Sequence, residues 1–245
     1  MSLLTVVRDV CAVVGVAAPA SVFSAIGSNR TMFEMVACAN EMAQRIAYDT
    51  RDWTELRTRH MFLGAGTEID DPLDLAPWVP PQDVFPLPAN YKRMLLTTNL
   101  WRAGAAHTPM KFIDDHDEWL QRHLLNDNTA QGEWTLFGRE LHTRPGVPLG
   151  DSITFMYLDK NCVALSGGGY GDRFQNDADS FRLDERLLKL GMTFDWKMKK
   201  GSPYAEDMGT YQDAISSAMG RDKPAAIYIG GRAIADVWGN NAQRW

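Results

Sequence analysis

The chain has few of the features that mark disulfide-rich, membrane or known catalytic proteins. Its three cysteines, Cys11, Cys38 and Cys162, are odd in number and match no metal-binding spacing, so we expect reduced thiols in a reducing compartment and no disulfide. The catalytic signatures Gly-x-Ser-x-Gly and His-Glu-x-x-His do not occur. Because Arg8 and Asp9 interrupt the apolar N-terminal stretch, we expect neither a secretory signal nor a membrane span.

Positive charge is also in short supply. The 245 residues include 25 Lys and Arg against 31 Asp and Glu, a formal net charge of -6. This balance argues against a surface built to hold phosphates, so a nucleic acid that passes nearby should slide past it. With 45% apolar residues the chain can bury a full core, either as one large domain or as two small ones.

The clearest helical pattern lies between residues 183 and 200. At 100° per residue, Leu188, Met192 and Trp196 fall on the side opposite a first apolar stripe. A helix with two apolar faces must meet either more of its own chain or another copy of it. As a hypothesis, we assign this second stripe to a subunit interface. The first stripe contains Leu183, Leu187, Leu190, Phe194 and Met198.

Helical periodicity also marks the start of the chain and the segment that follows the two-faced helix. The capping-box pair Thr31 and Glu34 predicts the start of a long amphipathic helix. Ser202 and Pro203 are residue types typical of a helix start, and Gly220 is placed as a terminator. The predicted helices cover residues 3–18, 31–52 and 202–220.

The middle of the chain reads differently, because prolines and glycines break the helical period from about His60 onward. Short runs of strand-forming residues lie between these turns, and Gly138-Arg139 is typical of a tight hairpin. A further helix is predicted over residues 114–125. The predicted strands cover residues 99–102, 110–113, 133–137, 140–143 and 152–158.

This order of elements predicts an α+β fold, in which N- and C-terminal helices form a bundle around an inserted small antiparallel β domain. The predicted bundle comprises residues 1–57 and 180–221, and the β domain residues 58–179. Residues 222–245 form an extended C-terminal arm.

The arm carries apolar side chains that are costly to expose at a chain end. It either packs on its own domain or docks on a partner, and the sequence leaves both alternatives open. Under the docking hypothesis the anchors would be Ile227, Tyr228, Ile229, Trp238 and Trp245, because buried aromatic side chains tend to dominate interface energies.

The densest polar cluster is Asp114, Asp115, His116 and Asp117. Carboxylates and imidazoles can bind a metal or serve a hydrolase or carbohydrate-binding site, but consecutive helical residues point in different directions and no metal-ligand spacing is matched. Acidic residues are common at a helix start, so we favour a solvated helix N-terminus. No catalytic residue, metal ligand or cofactor is assigned.

A glycine-rich segment, residues 166–171, has the flexibility of a phosphate-binding loop. However, no Lys-Ser or Lys-Thr follows it, and the residues after it do not begin a helix. We therefore predict a mobile loop.

The order of motifs along the chain resembles that of the phage head-to-tail adaptor family, the head-tail connector or tail tubular protein A of short-tailed phages. The similarity covers most of residues 3–215, and its motifs are packing signatures. They are Phe85-Pro-Leu-Pro-Ala-Asn-Tyr-Lys-Arg93, Asn99-Leu-Trp-Arg102, Glu118-Trp119, the 136–143 hairpin, Tyr157-Leu-Asp-Lys-Asn161, and above all Leu183-Asp-Glu-Arg-Leu-Leu-Lys-Leu-Gly191, Trp196-Lys-Met-Lys-Lys-Gly201, Tyr204-Ala-Glu-Asp207 and Tyr211.

The resemblance implies a non-enzymatic virion protein that assembles with itself into a ring of twelve copies between the portal protein and the tail nozzle. The helical bundle would line the ring, the β domain would face the nozzle or the tail fibres or spikes, and the arm would grip the portal. Genomic DNA would pass through the lumen without specific binding, and assembly would occur in the host cytoplasm, with no membrane contact. The alternatives are a neighbouring tail-tube or nozzle component and, from another class, a hydrolase or carbohydrate-binding module.

Overall fold

The chain folds as an α+β protein, as the sequence predicts. The computed structural model describes residues 2–65, 81–95, 98–105, 108–125, 131–222, 228–229 and 232–233. The described α-helices are α1 (Leu3–Val14), α2 (Arg30–Gln44), α3 (His116–Leu125), α4 (Glu185–Lys199) and α5 (Ala205–Arg221). The strands are β1 (Arg57–Leu63), β2 (Gln82–Pro86), β3 (Tyr91–Met94), β4 (Trp101–Arg102), β5 (Lys111–Phe112), β6 (Glu133–Phe137), β7 (Glu140–Val147), β8 (Ser152–Asp159), β9 (Val163–Ala164), β10 (Tyr170–Gly171), β11 (Ser180–Phe181), β12 (Tyr228–Ile229) and β13 (Arg232–Ala233).

Contacts divide the chain into two units. Among the described residues, the helical unit contains those of Leu3–Met42 and those from Asp184 onward, and the β unit contains those of Ala43–Leu183. The boundaries therefore differ from those expected, since the segment that follows α2 belongs to the β unit. One reason is that Arg182 donates a hydrogen bond to the backbone carbonyl of Glu55 at 2.9 Å, which ties that segment to the far end of the same unit.

The helical unit is built around α4, which is buried on most sides between α1, α2 and α5. Asp184 caps the start of α4, because its side chain accepts a hydrogen bond from the backbone N–H of Arg186. At Gly191 the neighbouring helices come very close. A Cβ there would lie 2.6 Å from Cε of Met42 and 3.2 Å from Cε2 of Tyr211, so no larger residue fits without displacing them.

Two sheets form the body of the β unit. The first has the order β1-β8-β3, with β4 also paired to β8, and the second has the order β2-β7-β6-β5. All of these pairs are antiparallel except β5 with β6. Their inner faces meet in one core, in which the rings of Phe62 and Phe85 lie 5.0 Å apart. The core residues are Phe62, Phe85, Leu100, Met110, Trp134, Leu141, Val147, Ile153, Phe155 and Tyr157.

Helix α3 covers the outer face of the second sheet. Its Arg122 lies 2.6 Å from Oε1 of the fully buried Glu133, and Arg144 of β7 binds the other carboxylate oxygen at 3.0 Å. The guanidinium of Arg144 also lies over the ring of Trp119, which is buried. A buried carboxylate is tolerated here because it is paired with two arginines.

The hairpin predicted at Gly138-Arg139 is confirmed. It connects β6 to β7, and both turn residues have positive φ, 61° and 64°. This is the backbone of a type I′ turn, whose twist matches that of the strands. Glycine adopts it without strain, whereas Arg139 is an unusual residue type in this conformation.

Two predicted helix starts are wrong. The cap of α2 is Asn29, whose Oδ1 accepts a hydrogen bond from the backbone N–H of Thr31 at 3.0 Å, so Thr31 lies inside the helix. Helix α5 begins at Ala205, later than Ser202, and it continues through Gly220 to Arg221.

Candidate functional site

The residues predicted to form a subunit interface are buried within their own chain. Leu188 and Met192 are 0% exposed and Trp196 is 6% exposed. Helices α1 and α5 pack against α4, and the Cys38 thiol of α2 lies 3.8 Å from the Met192 carbonyl oxygen. The assignment of these three side chains to a neighbouring subunit is therefore wrong, because a covered side chain gains no further burial from a partner.

The proposed portal-binding anchors fall mostly beyond the described chain. Ile227, Trp238 and Trp245 lie outside the described residues. The backbone of Tyr228 and Ile229 forms β12, which pairs antiparallel with β13. Docking of this arm on a partner stays a prediction.

The acidic cluster forms the start of α3. Oδ1 of Asp115 accepts the backbone N–H of Asp117 at 2.8 Å and that of Glu118 at 3.4 Å, which is the role of a helix cap. His116 lies against the edge of the Phe137 ring, and Asp114 is exposed. No group of three His, Cys, Asp or Glu side chains within the described residues is arranged to hold a metal ion. The preference for a solvated helix N-terminus is confirmed.

The glycine-rich segment forms a hydrogen-bonded turn, in which the backbone N–H of Gly168 donates to the carbonyl of Leu165, and its mobility stays a prediction. It joins β9 to β10, and the fully buried carboxylate of Asp179 accepts backbone N–H groups from Ser166, Gln175 and Asn176 at 2.7 to 2.8 Å. Burial alone would raise the pKa of Asp179, but these donors outweigh it and hold the pKa below its usual value. The backbone N–H groups of Ser166 and Gly168 are thus used internally.

A cleft of about 350 Å³ lies beside the tip of the β6–β7 hairpin. Its lining combines apolar side chains with the cations Lys92 and Arg139 and the carboxylate of Glu140. That carboxylate lies 3.7 Å from Nε2 of His142. The ring of Phe137 stacks on that imidazole at a centroid distance of 3.7 Å, and burial lowers the pKa of His142, which favours the neutral ring. The cleft is lined by Leu87, Tyr91, Lys92, Leu136, Phe137, Arg139 and Glu140.

The first sheet exposes a second apolar surface, here called the outer sheet face. Met61 of β1 and Trp101 of β4 are both in register with Thr154 of β8, so all three side chains point away from the core. Met156 and Leu63 lie on the same face, and Leu63 is 68% exposed. Arg59 is in register with Met156, which places a positive charge at one end of this face. Such a patch is unusual on a monomer and is typical of a protein contact surface.

A second exposed apolar surface lies on α3, on the opposite side of the two-sheet body. Leu120 and Leu124 are 54% and 83% exposed, while Trp119 on the other side of the helix is buried. These two leucines are here called the α3 leucine stripe. Asp117 precedes them by three and seven residues, so it lies on the same side of the helix.

Sequence reasoning missed both surfaces. The outer sheet face was missed because β1 was not recognised as a strand, and its alternating pattern places Arg59, Met61 and Leu63 outside and Phe62 inside. An apolar stripe on α3 could have been found from the spacing of Leu120 and Leu124, which are four residues apart on a helix that also carries Trp119.

A scan of the chain against models of known protein families finds no match, and a search of curated proteins likewise finds none. Of the helices that the structure describes, none has the length and apolar character that crossing a membrane requires.

Proposed function

We propose that the chain is a structural virion protein, a head-to-tail adaptor that forms a ring between the portal and the tail nozzle and extends the DNA channel. The proposal assigns it no enzymatic activity. It is supported by the resemblance of motifs over most of residues 3–215 to the phage adaptor family. It is also supported by the architecture, in which helices from both ends of the chain share one unit and the strands form another.

The observation that carries the proposal is the pair of exposed apolar surfaces on the β unit. The outer sheet face and the α3 leucine stripe lie on opposite sides of the two-sheet body, and each carries large side chains that are more than half exposed, such as Leu63 and Leu124. A protein whose function lies in connecting other proteins needs surfaces of this kind.

The net charge of -6 is consistent with a channel wall that DNA passes without being held. Binding of DNA depends on neutralising phosphates with lysine and arginine, so an acidic ring would add little friction. The proposed location is the neck of the virion, after assembly in the host cytoplasm.

The proposal is tested in the phage that would encode this chain, by placing a stop codon early in its gene. We expect DNA-filled heads without tails in electron micrographs, and tailed particles again when the wild-type chain is supplied in trans. A variant with Asp114→Ala and His116→Ala should restore tailed particles as well, which separates the adaptor from a hydrolase that uses this cluster. Normal tailed particles from the stop-codon phage would reject the proposal.

A further inference from the structure

The two apolar surfaces of the β unit carry opposite charges at corresponding places. On the outer sheet face, Arg59 precedes Met61 and Leu63 along β1. On α3, Asp117 precedes Leu120 and Leu124 along the helix. All six of these side chains are exposed.

We propose that the α3 leucine stripe of one copy of this chain docks on the outer sheet face of a second copy. In this contact Leu120 and Leu124 pack on Met61 and Leu63, and the carboxylate of Asp117 pairs with the guanidinium of Arg59. The inference deepens the proposed function and rests on it in one respect, since both require the chain to assemble with itself.

The spacings of the two surfaces agree. Alternate residues of an antiparallel strand lie about 6.8 Å apart, which is the separation expected between Met61 and Leu63. Four residues of an α-helix rise about 6 Å, which is the separation expected between Leu120 and Leu124. On both elements the charged residue precedes the two apolar residues in chain order. The long side chain of Arg59 can span the difference of a few ångströms that remains between the two spacings.

The positions of the surfaces determine the kind of assembly. Helix α3 lies on the outer face of the second sheet, and the outer sheet face belongs to the first sheet, with the shared core between them. A contact between two different surfaces on opposite sides of one body is heterologous. Each copy can therefore receive one neighbour and be received by another, which generates a closed ring or a filament.

The test uses two variants of the full chain, Leu63→Glu and Leu124→Glu, studied by sedimentation velocity. We expect the wild-type chain to form oligomers larger than a dimer. Each variant alone should assemble at least about tenfold more weakly, because a carboxylate replaces an apolar side chain that the contact would bury. When the two variants are mixed, each keeps one intact surface. The mixture should therefore form a 1:1 dimer and nothing larger.

Exchanging the two charges tests the pairing of Arg59 with Asp117. Arg59→Asp and Asp117→Arg should each weaken assembly, and the chain that carries both changes should recover most of it. Phe33→Glu, at an exposed position of α2 in the helical unit, is the matched control and should assemble like the wild type. Circular dichroism melts confirm that each variant is folded.

Three results would overturn the inference: a wild-type chain that stays monomeric at its highest soluble concentration, a variant mixture without a 1:1 dimer, and loss of assembly in Leu63→Glu with none in Leu124→Glu. The last would assign the outer sheet face to a different protein. The proposed adaptor role is judged separately, because Leu63→Glu and Leu124→Glu can each be supplied in trans to the stop-codon phage. Tailed particles from both would reject this contact and leave the adaptor role standing.

Discussion

The thiol of Cys38 donates a hydrogen bond to Oδ2 of Asp195 across 3.1 Å, which joins α2 to α4 inside the helical unit. Nζ of Lys199 lies 2.7 Å from the same carboxylate oxygen. The side chain of Asp195 is 1% exposed and that of Lys199 is 46% exposed, so a buried negative charge is balanced by a cation at the surface. Oδ2 of Asp195 can be buried because it accepts from the thiol and is paired with the lysine.

Replacing this carboxylate should destabilise the folded chain. For Asp195→Ala we expect a loss of about 2 kcal/mol in the free energy of unfolding, because the Cys38 thiol loses its acceptor and the helix keeps a small void. Urea denaturation at pH 7 measures the loss. The matched control is Glu41→Ala, which removes the exposed carboxylate 3.0 Å from the same lysine and should cost less than about 1 kcal/mol. Equal losses in the two variants would contradict the role assigned to Asp195.

Because the second apolar stripe of α4 is buried, its side chains should stabilise the isolated chain. Leu188→Ala should lower the free energy of unfolding by about 3 kcal/mol, because Leu188 is completely buried and its truncation leaves a cavity. Phe33→Ala, at a position that is 59% exposed, should change it by less than about 0.5 kcal/mol. If Leu188→Ala left stability unchanged and only reduced assembly, the original assignment to a subunit interface would be restored.

The turn around Asp179 should be sensitive to acid. The pKa of Asp179 in the folded chain is below the unfolded value of about 3.9. The stability that its carboxylate contributes is therefore fully present at a pH above the unfolded value, and it is lost as the pH falls through the folded pKa. Asp179→Asn should cost about 1–3 kcal/mol at pH 7, because the amide nitrogen cannot accept the N–H groups that the carboxylate accepts. The difference between wild type and variant should stay constant from pH 7 to 5 and shrink below about pH 4.

Asp172→Asn serves as the control for this measurement, since the side chain of Asp172 is exposed. It should follow the wild-type curve at every pH. A gap between wild type and Asp179→Asn that stayed the same down to pH 3 would show that the carboxylate is not what the turn requires.

The cysteines should be unreactive while the chain is folded. Burial raises the pKa of Cys162 to about 11, burial raises that of Cys11, and burial together with the Asp195 hydrogen bond raises that of Cys38. A thiol reacts as its thiolate, so labelling at pH 8 should be slow in the native chain. In denaturant all three thiols should label at the rate of free cysteine. Rapid labelling of any one of them without denaturant would show that its site opens readily.

Local patterns were enough to predict the elements whose signals lie close together in the sequence. Strand β6 has the bounds that its residues predict, and Gly138-Arg139 forms the expected hairpin. Strand β1 was missed because its outward side chains include Met61 and Leu63 and its inward ones include His60, so apolar and polar residues do not alternate in the usual sense. Whether a strand shows alternating apolar and polar residues depends on which segments cover its two faces. The local sequence does not contain that information.

The sequence by itself determined that the chain is an α+β protein with helices near its ends, strands in its middle and an acidic balance, because propensity, periodicity and charge are properties of neighbouring residues. Only the tertiary structure decided which apolar faces are covered. Met192 is buried by groups that include Cys38, 154 residues away, whereas Leu63 and Leu124 are left exposed. Burial is a relation between segments that are distant along the chain, so an apolar stripe predicts that a contact exists without predicting its partner.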